Sequence, residues 1–312
     1  MALDPTIKGL LDQMKAAGMP KLQDVGAVAG REQMVAMMQM VGPRDVPVGK
    51  SENVTVPGAP GGIPVRIYTP VAAGKEAMPA LVYYHGGGFV IGSVDVVDGL
   101  CRIMANEGGL RVISVDYRLA PEHKFPAALD DAFAVVTWIA ANAAEIGVDA
   151  NRLAVGGDSA GGALAAEVAQ LAKAKGGIKL AAQMLLFPVV QVGEETASMR
   201  EFAVGYFLEK ATLDWFYASY LPAGADRNDP RISPLRAKDL SGLPPAYVML
   251  GGYDPLHDEG MQYADKLRAA GVKVQVADYS VMVHDFIYFQ AIVPQAHDAL
   301  ASAVKAVAAI MG

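Results

Sequence analysis

Short apolar runs alternate with stretches of helical periodicity through most of the chain. Residues 80–84, 112–115, 153–156, 183–187, 246–250 and 274–277 are almost wholly apolar. Runs of that length without a polar side suit strands buried on both faces of a mostly parallel sheet. Helical spacing fills intervals between them, notably around 127–144 and from Ala163 to about Lys175. Alternation of this kind predicts an α/β architecture with helices on both faces of the sheet.

Three regions depart from that rhythm. Residues 52–69 alternate in a β-rich pattern around the turn Pro57-Gly58-Ala59-Pro60-Gly61-Gly62, which reads as an antiparallel hairpin at a sheet edge. Asp4-Pro5 starts a helix in which Ile7, Leu10, Leu11 and Met14 share a face, until Gly18-Met19-Pro20 stops it. A second helical stretch carries Met34, Met37, Met38 and Val41 and ends at Gly42-Pro43. The third region, between Pro188 and Pro244, is too long for a simple crossover. It clusters Tyr206, Phe207, Trp215, Phe216, Tyr217 and Tyr220, with Leu213, Phe216, Tyr217 and Tyr220 at helical spacing. Residues 1–45 and an insertion at about 188–225 therefore predict a helical cap on a catalytic domain spanning 46–312. Ligand crevices in such sheets open at the carboxyl ends of strands, where a cap would sit. The alternative is extra helices packed beside the sheet, and the methionine face could equally pack on the body.

Composition narrows the class. The 312 residues are 53% hydrophobic, ample for a large core, and no run approaches the 18 apolar residues that a membrane span needs. The formal charge is −7 and no basic stripe offsets it, which argues against a nucleic-acid surface. Cys101 is the single cysteine, and the N-terminus shows no charged region followed by an apolar one. Both features predict a cytoplasmic location.

The candidate chemistry begins at Gly157-Asp158-Ser159-Ala160-Gly161-Gly162, which follows an apolar run and precedes a helix. A strand turning sharply into a helix lifts one serine to the tip of the turn, and the glycines two residues either side let the backbones approach. Ser159 needs a base, and the base needs an acid to fix its tautomer. Among five histidines, only His284 follows the last strand with room for an acid on an earlier strand end. Asp254 lies just beyond the run 246–250 and is the first choice for that acid; Asp258 is the second. His85-Gly86-Gly87-Gly88 follows a strand upstream of the serine, and its glycines leave backbone N–H groups open to a developing oxyanion. The N–H of Ala160 completes that cradle. His257-Asp258-Glu259 lacks a second histidine at ligand spacing, so no metal site is expected.

Taken together, His85-Gly-Gly-Gly-Phe, Asp116-Tyr-Arg-Leu-Ala-Pro-Glu122, Gly157-Asp-Ser-Ala-Gly-Gly162, Asp254-Pro-Leu-His-Asp-Glu259 and the His284 loop resemble the hormone-sensitive-lipase-like carboxylesterases. These are the bacterial family IV esterases of the α/β-hydrolase fold. The resemblance implies a Ser159, Asp254 and His284 triad, with oxyanion donors at Gly87, Gly88 and Ala160. It also implies short- to medium-chain acyl esters as substrates, no cofactor, and a cap of N-terminal helices plus an insertion. Dimeric members suggest pairing through the last strand. A ligand receptor on the same scaffold could dispense with the base, whereas this chain retains His284. Two positions depart from the family pattern: Val281 and Asp285 stand where glycines are common. Asp285 adds a carboxylate beside the base.

Overall fold

The apolar runs become strands in a computed structural model that describes residues 2–312. Helices α1 (Pro5–Ala16) and α2 (Leu22–Val41) precede β1 (Lys50–Val56), β2 (Ile63–Thr69) and β3 (Met78–Tyr84). Next come α3 (Asp98–Gly108), β4 (Arg111–Val115), α4 (Ala127–Ala141), β5 (Val148–Asp158) and α5 (Ala160–Lys175). β6 (Ala182–Leu186) leads into α6 (Ala197–Glu201) and α7 (Lys210–Tyr220). The chain closes with β7 (Ala246–Tyr253), α8 (His257–Ala269), β8 (Val274–Val283) and α9 (Pro294–Met311).

These strands form one sheet in the order β1-β2-β4-β3-β5-β6-β7-β8. β2 runs antiparallel to both β1 and β4, and the other neighbours are parallel. The 52–69 hairpin thus lies at an edge, as its alternation predicts.

Strand periodicity divides the core into two layers. Ala80, Val82 and Tyr84 of β3 point into one, with buried faces of α4, α5 and α8. Leu81 and Tyr83 point into the other, with α3 and α9. Both faces of the central strands are therefore dry, which explains their lack of polar positions.

β8 is longer than the run 274–277 suggested. Pairing of Gly251 with Tyr279 and of Tyr253 with Val283 carries it to the residue before His284. Val281 consequently lies in extended strand, and the departure from glycine there is accommodated. Its carbonyl also accepts the Asp4 N–H at 2.9 Å, so the N-terminal segment covers part of this edge.

The N-terminal helices follow their sequence signals. The Asp4 side chain accepts the N–H groups of Thr6 and Ile7 at 2.8 and 3.1 Å, capping α1. Gly26 takes a non-helical φ of 82° and kinks α2. Met34, Met37 and Met38 are half-buried, and Met34 packs against both core layers. Lys21 pairs with Glu209 at 2.5 Å and Thr212 donates to Gln23 at 3.0 Å, joining α2 to α7. Arg31 donates to the carbonyls of Val90 and Ala120 and forks onto Glu122, which ties α2 to the loops after β3 and β4.

One close approach fixes the middle of the sheet. A Cβ on Gly161, at the start of α5, would overlap the carbonyl of Tyr84 at the end of β3. A Cβ on Gly157 would meet the same carbonyl and the Gly161 backbone. Gly161→Ala should therefore force the α5 N-terminus off the strands, at a cost of about 3 kcal/mol or more. Thermal unfolding should shift down by roughly 5–10 °C. An unchanged midpoint would contradict this packing account.

Candidate active site

The residues singled out by sequence converge at the carboxyl ends of the parallel strands, where doubly wound sheets bind ligands. Ser159 leaves β5 with φ 54° and ψ −116°. Such a conformation costs on the order of 1–3 kcal/mol for a residue other than glycine. Neighbouring backbone holds it: the Ser159 N–H donates to Leu186 at 2.8 Å, and its carbonyl accepts from Val189 at 3.1 Å.

Three side chains form a line of contacts. Ser159 Oγ lies 2.9 Å from His284 Nε2. His284 Nδ1 lies 2.7 Å from Asp254 Oδ2. The other Asp254 oxygen accepts the Leu256 N–H at 2.8 Å, which orients the carboxylate from the turn after β7. All three residues are buried. Asp258 points elsewhere, accepting the Ser198 N–H at 2.9 Å and so holding α6. The geometry favours Asp254 over Asp258 for the acid.

The glycine loop after β3 sits beside the serine. Gly87 and Gly88 adopt φ of 110° and 60°, conformations that glycine takes without strain. Among the described residues, the N–H groups of Gly87, Gly88 and Ala160 have no intramolecular acceptor. A Cβ on Gly88 would collide with the ring of Phe216, so α7 packs directly on this loop. His85 anchors the loop rather than reaching for substrate. Its Nδ1 lies 2.8 Å from the Gly86 carbonyl, its ring stacks on Tyr117 at 4.3 Å, and burial lowers its pKa. The remainder of the Asp116–Glu122 motif is likewise structural, with Arg118 forked onto Asp131 and Glu122 held by Arg31.

Sequence reasoning missed a polar network beneath the loop. Asp158 accepts from Tyr83 Oη at 2.5 Å, Tyr288 Oη at 2.8 Å and the Gly86 N–H at 3.0 Å. Burial and the nearby Asp285 charge push its pKa up to about 7, against the pull of the two tyrosines. Glu259, fully buried in α8, accepts the N–H groups of Val190 and Gln191 at 2.9 and 3.2 Å. Burial pushes its pKa up to about 8, although those N–H groups favour the charged form. Only the adjacency of Asp158 to Ser159 could have flagged the first. The tyrosines that bind it lie 75 and 130 residues away in sequence.

Burial works to lower the pKa of His284, but the Asp254 and Asp285 carboxylates outweigh it and hold it well above the usual histidine value. Asp285 Oδ2 lies 3.2 Å from Nε2, the same nitrogen that faces Ser159. Asp285 itself takes φ 51°, a left-handed conformation that aspartate tolerates better than most residues. No group of three or more histidine, cysteine or carboxylate side chains arranged for a metal occurs among the described residues.

Residues 81–288 match the alpha/beta hydrolase fold family. The chain belongs to the α/β-hydrolase family. This hydrolase is 42% identical over 292 residues to carboxylic ester hydrolase LipN of Mycobacterium tuberculosis, covering 91% of this chain and 77% of that protein. It is 43% identical over 249 residues to ethyl acetate hydrolase of Pseudomonas putida, covering 78% and 77% respectively. An ester hydrolase from the metagenome of Lake Arreo, solved with a bipyridine phosphonate derivative, superposes with a TM-score of 0.96. That structure is 44% identical, and 98% of each chain is covered. These matches agree with the resemblance to hormone-sensitive-lipase-like carboxylesterases.

The raised pKa of Glu259 makes a stability prediction. A folded-state pKa above the unfolded value means that the native state keeps a proton the unfolded chain has lost. Stability from this group is therefore greatest at low pH and falls as pH rises from about 4.5 toward 8. Glu259→Gln should flatten the pH dependence of the unfolding free energy across that window. The difference between variant and wild type should grow by on the order of a few kcal/mol. Parallel pH profiles, measured by denaturant unfolding, would contradict the assignment.

Proposed function

We propose that this protein is a carboxylic ester hydrolase that cleaves short- to medium-chain acyl esters through an acyl-enzyme on Ser159. The observation that carries the reading is the unbroken contact line from Ser159 Oγ through His284 to Asp254. Ser159 Oγ attacks the ester carbonyl carbon while His284 Nε2 takes its proton. Asp254 keeps the Nδ1 proton in place and stabilises the imidazolium that forms. The carbonyl oxygen gains negative charge and is met by the N–H groups of Gly87, Gly88 and Ala160, with the α5 N-terminus adding its positive dipole end. Collapse of the intermediate breaks the ester C–O bond, and Nε2 returns its proton to the leaving alkoxide. Water then attacks the acyl-enzyme by the same route, releasing the acid and restoring the serine hydroxyl.

Relatives named as ester hydrolases support this class of substrate. Residues 1–45 and about 188–225 act as a cap in this reading, with Met1 outside the described residues. The α2–α7 contacts and the packing of Phe216 on Gly88 support that role. Aromatic side chains in the cap would then bound the acyl chain, which favours short and medium lengths. The buried, unpaired Cys101 and the lack of any helix long and apolar enough to cross a membrane among the described residues fit a cytoplasmic location. A fractionation assay that found the protein outside the cytoplasm would count against it. β8 is an edge strand, with its last part covered by Asp4, so a homodimer would form through its earlier residues. Light scattering should give two chains per particle; a monomer would remove that proposal.

The wild type should hydrolyse p-nitrophenyl butyrate, and Ser159→Ala should abolish it. Asp254→Asn should lower kcat by about 10⁴-fold, whereas Asp258→Asn should stay within roughly tenfold of wild type. An inactive wild type, an active Ser159→Ala, or the reverse ranking of the two aspartates would overturn the reading.

A further inference from the structure

Four buried carboxyl groups surround a single imidazole. Asp254 reaches His284 from the end of β7, Asp285 follows it in sequence, Asp158 lies at the end of β5, and Glu259 lies in α8. Three phenols face the same cluster from the remaining elements: Tyr288 and Tyr83 bind Asp158, while Tyr217 of α7 lies near Glu259 and Asp254. Among the described residues, none of the four carboxyl groups pairs with a lysine or arginine. Among the described residues, His284 is thus the one cationic side chain that pairs with any of them.

Asp285 is the one carboxylate whose position does not follow from holding the fold. It occupies the N-cap position of the 3₁₀ turn Phe286–Tyr288, yet its side chain caps no N–H group there. It turns instead to His284 Nε2, at 3.2 Å, beside the Ser159 Oγ contact at 2.9 Å on the same nitrogen. Its other oxygen is buried without a partner. Leaving a buried acceptor unsatisfied costs about 1–3 kcal/mol, and the contact of the other oxygen with His284 Nε2 is placed to offset that cost.

We propose that Asp285 is a positioning residue for the base, holding the proton on His284 Nε2 and so raising the pH at which the site becomes active. The inference rests on the esterase reading of this site. In the protonated resting state, the Nε2–H group is shared between Asp285 Oδ2 and Ser159 Oγ. That proton must pass to solvent before His284 can accept the one on Ser159. Once attack begins, the proton arriving from Ser159 forms a new Nε2–H group, and Asp285 stabilises the resulting imidazolium alongside Asp254. The same carboxylate therefore delays activation at low pH and strengthens the base at high pH.

Asp285→Asn and Asp285→Gly both suit the left-handed backbone, so either keeps the proposal testable if the other fails to fold. The acid limb of kcat/KM reports the free enzyme's base. In the wild type it should lie above the ordinary histidine value. It should fall by about one unit or more in either variant, as expected for removal of one opposite charge in contact. The high-pH plateau should fall several-fold at the same time. A purely structural role would lower the plateau and leave the limb in place, which would overturn the proposal. The ring ¹⁵N shifts of His284, titrated in Ser159→Ala and in Ser159→Ala with Asp285→Asn, should move in the same direction without any turnover. A His284 midpoint at or below the ordinary value in the Asp285-bearing protein would overturn the proposal with no further variant. Absence of ester hydrolysis by the wild type would instead sink the esterase reading, and the ¹⁵N midpoints would still decide the role of Asp285.

Discussion

Everything at the site depends on how closely α5 approaches the ends of β3 and β5. Gly161 sits against the Tyr84 carbonyl, and no side chain fits between them. That contact forces the abrupt turn in which Ser159 adopts a positive φ and stands at the first turn of a helix. It also brings the free N–H of Ala160 alongside the loop that follows β3. The strain at Ser159 is held by backbone bonds to Leu186 and Val189, so the position of β6 is part of the same constraint. A strained backbone conformation persists only where its surroundings over-determine it.

Charge is the second organising feature. The imidazole of His284 sits over buried acids that, among the described residues, have no lysine or arginine partner. Glu259 fixes the segment after β6, Asp158 fixes the glycine loop, and Asp254 fixes the base. Each acid thus positions one part of the proposed catalytic constellation, and each depends on the others through the shared field. The raised pKa values of Asp158 and Glu259 follow first from burial, which the charge of His284 offsets only in part. The cost is borne by the fold and offset by the large two-layered core.

Much of this was legible in the sequence because its signals are local. Apolar runs marked β3 to β7 since both faces of the sheet are covered, and the turn chemistry around Ser159 needs glycines at fixed offsets. Chain order and nearness to strand ends pointed to His284 and Asp254 but left Asp258 open, and the side-chain contacts separate the two aspartates. The extent of β8 was not legible, because its last residues are strand only by pairing with the end of β7. Nor was the Asp158 network, whose partners come from β3 and from the turn after His284. The departure at Asp285 was visible as a residue type, but its contact with Nε2 depends on a backbone conformation that no periodicity encodes.

The central claim is that Ser159 is the one activated nucleophile, and covalent labelling tests it most directly. A neutral organophosphate ester such as diethyl p-nitrophenyl phosphate should release one p-nitrophenol per chain. Mass spectrometry should place the single diethylphosphoryl adduct on the peptide containing Ser159, and His284→Ala should slow its formation by orders of magnitude. Labelling at another residue, or equal rates with and without His284, would contradict the account.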